Sequence, residues 1–486
     1  MLHGGAIGES SFHQPSDVLL LSRIVEVRSI RHGSGGRTAG WSGVAGPTRS
    51  GDAPPVNPTE PDPAPVASVR PASILRDRNF VRLLVGESVS HLGSTITGFA
   101  FAIVAVVMLD ATPRQMGLIR SLGELPAVVL GLFVGLWVDR SSRRRLLVVL
   151  NLVAAAAVVS VPVAYLAGTL SIGQLFALAL IFGILGTFWE PAWNSFLPSV
   201  VTRDRLVDAN SKLTVSNSAT AVVGPGLAGA LIQVLTAPVA MVADAISFVV
   251  AAISVNGVRS RERPAVAEED RAPIRRRIGE GLRLAFLDPM QRAITAPLVL
   301  LYLVDALSLS VYAIFVLRVV RLSPGSLGLV FMVGAAGFLA GSAAAPRIER
   351  RIGAGRAALL GLGLVAASPF TMVLADASHP LWLNLFFLGF PGLLGGFGGI
   401  LQAVMLLSLR QAITPEHLIG RVYGSIGVLG GLMVIAGATI GGWLGDTIGP
   451  RPTVLVAAIG YTIPFFWSLF TPLRGATTEQ PAASAE

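Results

Sequence analysis

Between residues 81 and 470 the chain alternates long apolar runs with short breaks rich in glycine, proline and arginine. A helix that crosses a bilayer needs about 20 predominantly apolar residues. Twelve runs approach or exceed that length: 81–109, 116–138, 146–167, 172–191, 213–235, 239–258, 294–317, 326–345, 357–375, 380–407, 422–444 and 452–470. The expected fold is an all-α membrane protein, with these spans in two pseudo-symmetric six-helix bundles. Residues 75–258 and 294–472 form the bundles, and 259–293 link them.

Composition sharpens this picture. Of 486 residues, 52% are hydrophobic and 13% charged, against roughly 25% charged in soluble domains. No cysteine is present, which removes disulfides, thiolate metal sites and thiol nucleophiles. Residues 1–74 are rich in Gly, Pro and Ser and cannot bury a core. They read as a disordered extension or as sequence upstream of the true start, with a docking tail as the alternative. Residues 473–486 read as a disordered tail. In the linker, Ile278, Leu282 and Ala285 share a face with Phe286 beside them, which suits an amphipathic helix on the membrane surface or a solvated tether.

The net charge of +9 is explained by arginine placement. Arg140, Arg143, Arg144 and Arg145 fall between spans 2 and 3. Arg203 and Arg205 follow span 4, Arg347, Arg350, Arg351 and Arg356 follow span 8, and Arg410 and Arg421 lie around the span 10–11 break. Opposite-side breaks hold few: Arg114, Arg120, Arg318, Arg321 and Arg451. Positive loops face the cytoplasm, so both termini are expected inside, in a cytoplasmic membrane. Nucleic-acid binding is not indicated.

The two halves look related. "TPRQMGLI" at Thr112 opens span 2 and "SPGSLGLV" at Ser323 opens span 8. "VVTRDRLVDAN" at Val200 follows span 4 and "AITPEHLIGRV" at Ala412 follows span 10. "GLWVDRSSRRR" at Gly135 corresponds to "GSAAAPRIERR" at Gly341. Paired six-helix halves are a sign of secondary transporters.

These features together resemble the major facilitator superfamily, over about residues 76–472. The G-x-x-x-D-R-x-x-R-R run between spans 2 and 3 is the most specific, with Ser142 where the family has glycine. "AVVGPGLAGALI", containing Gly224, Pro225, Gly226 and Gly229, resembles its exporter signature in span 5. "EPAWNSFLPSVV" and "VADAISFVVA" resemble the bacterial branch of macrolide-efflux and enterobactin-export proteins. The resemblance implies a latch holding the inner gate shut. Gly135 would allow close helix approach and Asp139 would sit at the start of span 11, near Gly420 and Arg421. Arg140, Arg143 and Arg144 would pair across the seam between the halves. These arginines serve equally well as topology anchors. The span-5 signature implies a kink and tight packing against the other half, and Gly334, Gly337 and Gly341 give small-residue spacing in span 8.

Charge at membrane depth costs at least ~2.5 kcal/mol and marks a cavity or a partner. In span 1, Glu87, His91, Ser94, Thr95 and Gly98 share one helical face. In span 7, Asp305, Ser308 and Tyr312 do so, as do Thr187, Glu190 and Asn194 in span 4. Glu124 lies in span 2, Asn384 and Gln402 in span 10. The resemblance places spans 1, 4, 7 and 10 around a central cavity, with proton coupling at Glu87 or Asp305 and His91 able to titrate near neutrality. Dry helix–helix hydrogen bonding is the alternative. Asp244 reads as packing, and Trp189 and Trp193 as interface anchors.

No phosphate-binding loop is visible, so an ion gradient is the expected energy source. The expected protein is a monomeric proton antiporter exporting small amphipathic organic molecules by rocker-switch alternating access. Its expected partners are that organic substrate, protons and the lipid bilayer. No cofactor, no metal and no enzymatic activity are expected. A siderophore or metabolite exporter of the same fold is the near alternative. A polytopic enzyme or non-transporting receptor is the distant one, with His91 as the single intramembrane histidine arguing against metal-site chemistry.

Overall fold

The computed structural model describes residues 73–258, 260, 279, 282–283 and 285–476. Among the described residues the regular structure is helical and no strand occurs. The N-terminal half comprises α1 (Arg78–Ile103), α2 (Pro113–Arg140), α3 (Arg143–Leu166), α4 (Ile172–Val200), α5 (Leu206–Leu235) and α6 (Ala237–Asn256). The C-terminal half comprises α7 (Pro289–Ile314), α8 (Pro324–Ile352), α9 (Ala354–Ala367), α10 (Leu381–Ile413), α11 (Glu416–Thr447) and α12 (Pro450–Leu469). Among the described residues eleven helices are long and apolar enough to cross a bilayer, and the bent α2 makes up to twelve. The bend in α2 is 66° between Gly131 and Phe133. A glycine in open space provides the local freedom for it.

Helix starts follow from local chemistry. Thr112 and Gln115 form a reciprocal capping box before α2, with Pro113 as the first helical residue. At the matching place Ser323 accepts from the Ser326 amide, with Pro324 next. Both satisfy amides that a new helix leaves unpaired.

The internal repeat extends to the backbone. α1 ends in a π-helical turn, Val104–Met108, and α7 in another, Phe315–Val319. After each comes a left-handed residue, Asp110 (φ 52°) and Arg321 (φ 61°). The Ala111 amide then reaches back to the Ala105 carbonyl at 2.8 Å, and Leu322 to Val316 at 3.1 Å. The repeat breaks elsewhere. Gly353, the N-cap of α9, has φ 83°, whereas Ser142, the N-cap of α3, has φ −69°. An L side chain therefore fits the α2–α3 turn, and the departure from glycine costs it nothing in backbone strain.

The main seam contacts are α2 with α11 and with α7, α5 with α8, and α1 with α7 through their π turns. The seam is tight at the end opposite the arginine-rich loops. A Cβ on Gly442 would lie 2.8 Å from the Pro113 carbonyl oxygen, and one on Gly229 2.7 Å from that of Pro324. At the arginine-rich end Gly131, Gly135, Gly420, Gly424 and Gly427 have no neighbour within 4 Å of such an atom. The halves thus form a wedge, shut at one end and parted at the other.

Several expectations change. α5 runs as one helix through Pro225. Gly226 packs on Met332, and Gly229 on α8, as cross-seam packing requires; Gly224 instead meets Thr95 in its own half. The tail boundary at 74 is too late, because Ile74 is buried and belongs to a 3₁₀ turn, Ile74–Arg76. The boundary at 473 is too early. The turn Pro472–Gly475 buries Leu473, and Ala476 accepts a hydrogen bond from the Gly355 amide at 3.1 Å. The remaining tails, 1–72 and 477–486, lie outside the described residues. So does much of the linker, although Ala285 is buried with Val422 and Ile426 beside Phe286. That end packs on the C-terminal half.

A central cavity between the halves

The wedge encloses a cavity of about 890 Å³ lined by α2, α4 and α7–α12. Glu124, Glu190, Asn194, Asp305, Ser308, Tyr312 and Gln402 all stand on its wall, with Thr187. Glu190 and Gln402 occupy corresponding places in the two copies of the repeat, ten residues before Val200 and Ala412. One helical register therefore brings both polar groups to the same pocket. Glu124 is eleven residues into α2, about 16 Å below its start at the rise of an α-helix.

Phe331 closes the shut end of the cavity. Its ring meets Tyr312 edge-on at 5.9 Å and Phe99 of α1 at 5.0 Å, so α1, α7 and α8 share one aromatic contact across the seam. Beyond it two ion pairs cross the same seam. Arg318 pairs with Asp110 at 2.8 Å and donates through Nε to the Val106 carbonyl at 3.1 Å. Arg114 pairs with Asp446 at 3.0 Å.

The polar face of α1 lies elsewhere. Glu87, His91, Ser94 and Thr95 are not among the lining residues. Glu87 is buried, with His91 3.6 Å away on the next turn. Thr95 donates to the His91 carbonyl and packs on Gly224, while Ser88 and Ser216 share a hydrogen bond. Helix α1 leans on α5 and α6, which buries Glu87 in the N-terminal half, whereas the His91 side chain is about half exposed. Periodicity identifies a polar stripe; it does not say which neighbour the stripe meets. Asp244 sits fully buried between α6 and α1, accepting from Ser247 at 2.9 Å. Gly93 opposite leaves room for both. Asn384 is also off the cavity. It exchanges hydrogen bonds with the Asp376 backbone at 2.8 and 3.0 Å. Asp376 itself is held well below the usual carboxylate range by the Ser378 amide and hydroxyl and by Arg451.

The corner between α2 and α3 makes contacts within its own half. Asp139 is 3.6 Å from Arg143 in its own corner. Arg144 donates to the Asn256 side chain at 3.0 Å, at the end of α6 in the same half. Arg140 is exposed and Gly135 faces open space. The side chain of Arg421 lies outside those described. Trp189 and Trp193 stack at 6.5 Å, off the cavity wall.

Several cavity residues escaped the sequence reading, Tyr302, Tyr461 and Arg120 among them. Arg120, taken there for a loop charge, lies two turns inside α2 on the cavity wall. Its Nε is buried without a hydrogen-bond partner, and Glu124 and Asp305 are the carboxylates within its electrostatic reach. Asp305, on α7, accepts a hydrogen bond from the Tyr461 hydroxyl of α12. The signal was present: Arg120 precedes Glu124 by four residues, the spacing of neighbours on one helix face.

Two helical halves, shut at one end around a shared cavity with charges at membrane depth, define the architecture of a polytopic membrane transporter. A family model described as the Major Facilitator Superfamily matches residues 83–438; the chain belongs to that superfamily. It is similar to the multidrug efflux pump Tap of Mycolicibacterium fortuitum, 28% identical over 408 residues, 80% of this chain and 95% of that protein. Macrolide efflux protein A of Streptococcus pyogenes is 26% identical over 182 residues, 37% of this chain and 44% of that protein. Among solved structures, a bacterial homologue of the iron transporter ferroportin in an inward-facing state superposes with a TM-score of 0.64. It is 20% identical and covers 80% of this chain and 98% of its own. Among the described residues no group of three or more His, Cys, Asp or Glu side chains could hold a metal ion.

Proposed function

We propose that this protein exports small amphipathic organic molecules across the cytoplasmic membrane, driven by inward flow of protons. The carrying observation is the cavity, whose wall combines apolar and aromatic surface with Glu124, Glu190 and Asp305. An apolar wall with a few convergent polar groups suits a drug-sized ligand. Carboxylates at membrane depth suit a group that alternately binds and releases a proton. The drug-efflux relatives support the same direction of transport.

The arginine-rich end is cytoplasmic in this reading, and the conformation is inward-open. Outward opening requires the Arg318–Asp110 and Arg114–Asp446 pairs to part. The inner ends of α2 and α11 then close, and the Asp139 corner reaches the start of α11. Asp305 is the proton site of choice, because it faces the cavity and hangs on Tyr461 of α12. Glu87, buried and off the wall, is assigned to the interior of the N-terminal half.

Inverted vesicles carrying the purified protein, given a pH gradient and a panel of fluorescent drugs, test this. Uptake should collapse with an uncoupler and fall at least tenfold with Asp305→Asn. Uptake that ignores both would refute proton coupling at this site.

A further inference from the structure

The cavity wall carries one cationic side chain, Arg120, against three carboxylates, Glu124, Glu190 and Asp305, among the described residues. A guanidinium at membrane depth normally persists because an anion contacts it. Arg120 has no such contact among the described ion pairs, and its Nε is an orphan. Its field nevertheless reaches Glu124 on its own helix and Asp305 across the seam. Glu124 faces α11, its Oε1 3.4 Å from where a Cβ on Gly431 would stand. Asp305 is fixed by Tyr461. Asp305 is therefore positioned by another group, and Arg120 shares the cavity wall with both carboxylates. Tyr302 and Tyr312 are the other titratable side chains on this part of the wall.

We propose that Arg120 is a specificity-determining residue, a tethered internal cation that competes with positively charged organic substrates for Glu124 and Asp305. It keeps the pocket from being a plain anionic trap. Neutral or weakly basic molecules are admitted, while permanent organic cations are held loosely enough to leave. Two unit charges a few ångströms apart interact strongly in such a medium, so removing one cation changes the site's preference measurably. The proposal rests on the reading of the cavity as the substrate site.

The full-length protein in detergent, titrated with tetraphenylphosphonium, its near-isosteric anion tetraphenylborate and neutral triphenylphosphine oxide, provides the test. Arg120→Gln should tighten tetraphenylphosphonium binding about tenfold, leave the neutral probe within twofold, and Arg120→Lys should restore the original preference. Unchanged or weakened cation binding in Arg120→Gln, with the neutral probe still bound, would sink the competitor role alone. Selective loss of tetraphenylborate would instead make Arg120 an anion receptor and overturn the proposal. Failure of all three probes to bind the unmodified protein would remove the substrate-site reading, and this proposal with it.

Discussion

At the scale of single residues, the backbone separates what a side chain can tolerate from what the fold imposes. Thr236, between α5 and α6, has φ 76° and ψ 153°, a region that L residues rarely occupy. Its counterpart between α11 and α12 is Gly449, at φ 89° and ψ 163°. Thr236 makes no side-chain cap bond in return. Thr236→Gly should therefore stabilise the protein by about 1 kcal/mol, read as a higher melting temperature in detergent; an unchanged or lower value would show that the turn is unstrained. The same scale explains which site residues were legible. Asp305, Glu190 and Gln402 are polar interruptions in long apolar runs, and burial rules pointed to them. Arg120 was obscured because charge near the end of a run reads as a loop marker. Asn384 misled because its partner, the Asp376 backbone, is invisible to side-chain patterns.

At the scale of elements, hydrophobic run length disclosed all twelve spans but not their limits. α10 continues to Ile413 and α5 begins at Leu206, each about two turns beyond its apolar run, because helices outlast the hydrocarbon and finish among polar residues. Face assignment was harder. The α1 stripe was legible as a stripe, yet its contact with α5 and α6 is a property of the bundle. Glycine spacing was more informative. Gly337 lies where a Cβ would be 2.9 Å from the Leu393 Cα and closer still to its carbonyl group. The α8–α10 contact has no slack there. Gly337→Ala should cost about 1–3 kcal/mol, measured as a lower unfolding temperature. Gly399→Ala, in open space on α10, should change it far less; equal losses would contradict the packing argument.

At the scale of the whole molecule, the wedge is the main result, and the sequence showed only its ingredients. The repeat implied two halves, but nothing in it said which end is parted. That is set by a few cross-seam contacts, Arg318 with Asp110 and Arg114 with Asp446, whose partners lie hundreds of residues apart. Weakening them with Asp110→Asn and Asp446→Asn together should shift the population toward the opposite opening. The chain has no native cysteine, so a thiol placed at Gly427 reports on the parted end. It should react several-fold more slowly in the double variant; an unaltered rate would mean the pairs do not hold that end shut. The twin π turns set a further condition on the same closure. Each amounts to one surplus residue wound into a rod of 3.6 residues per turn, so excising it from α1 swings all that follows by roughly 100°. Asp110 would then point away from Arg318, and the molecule would lose a clasp without losing a charge.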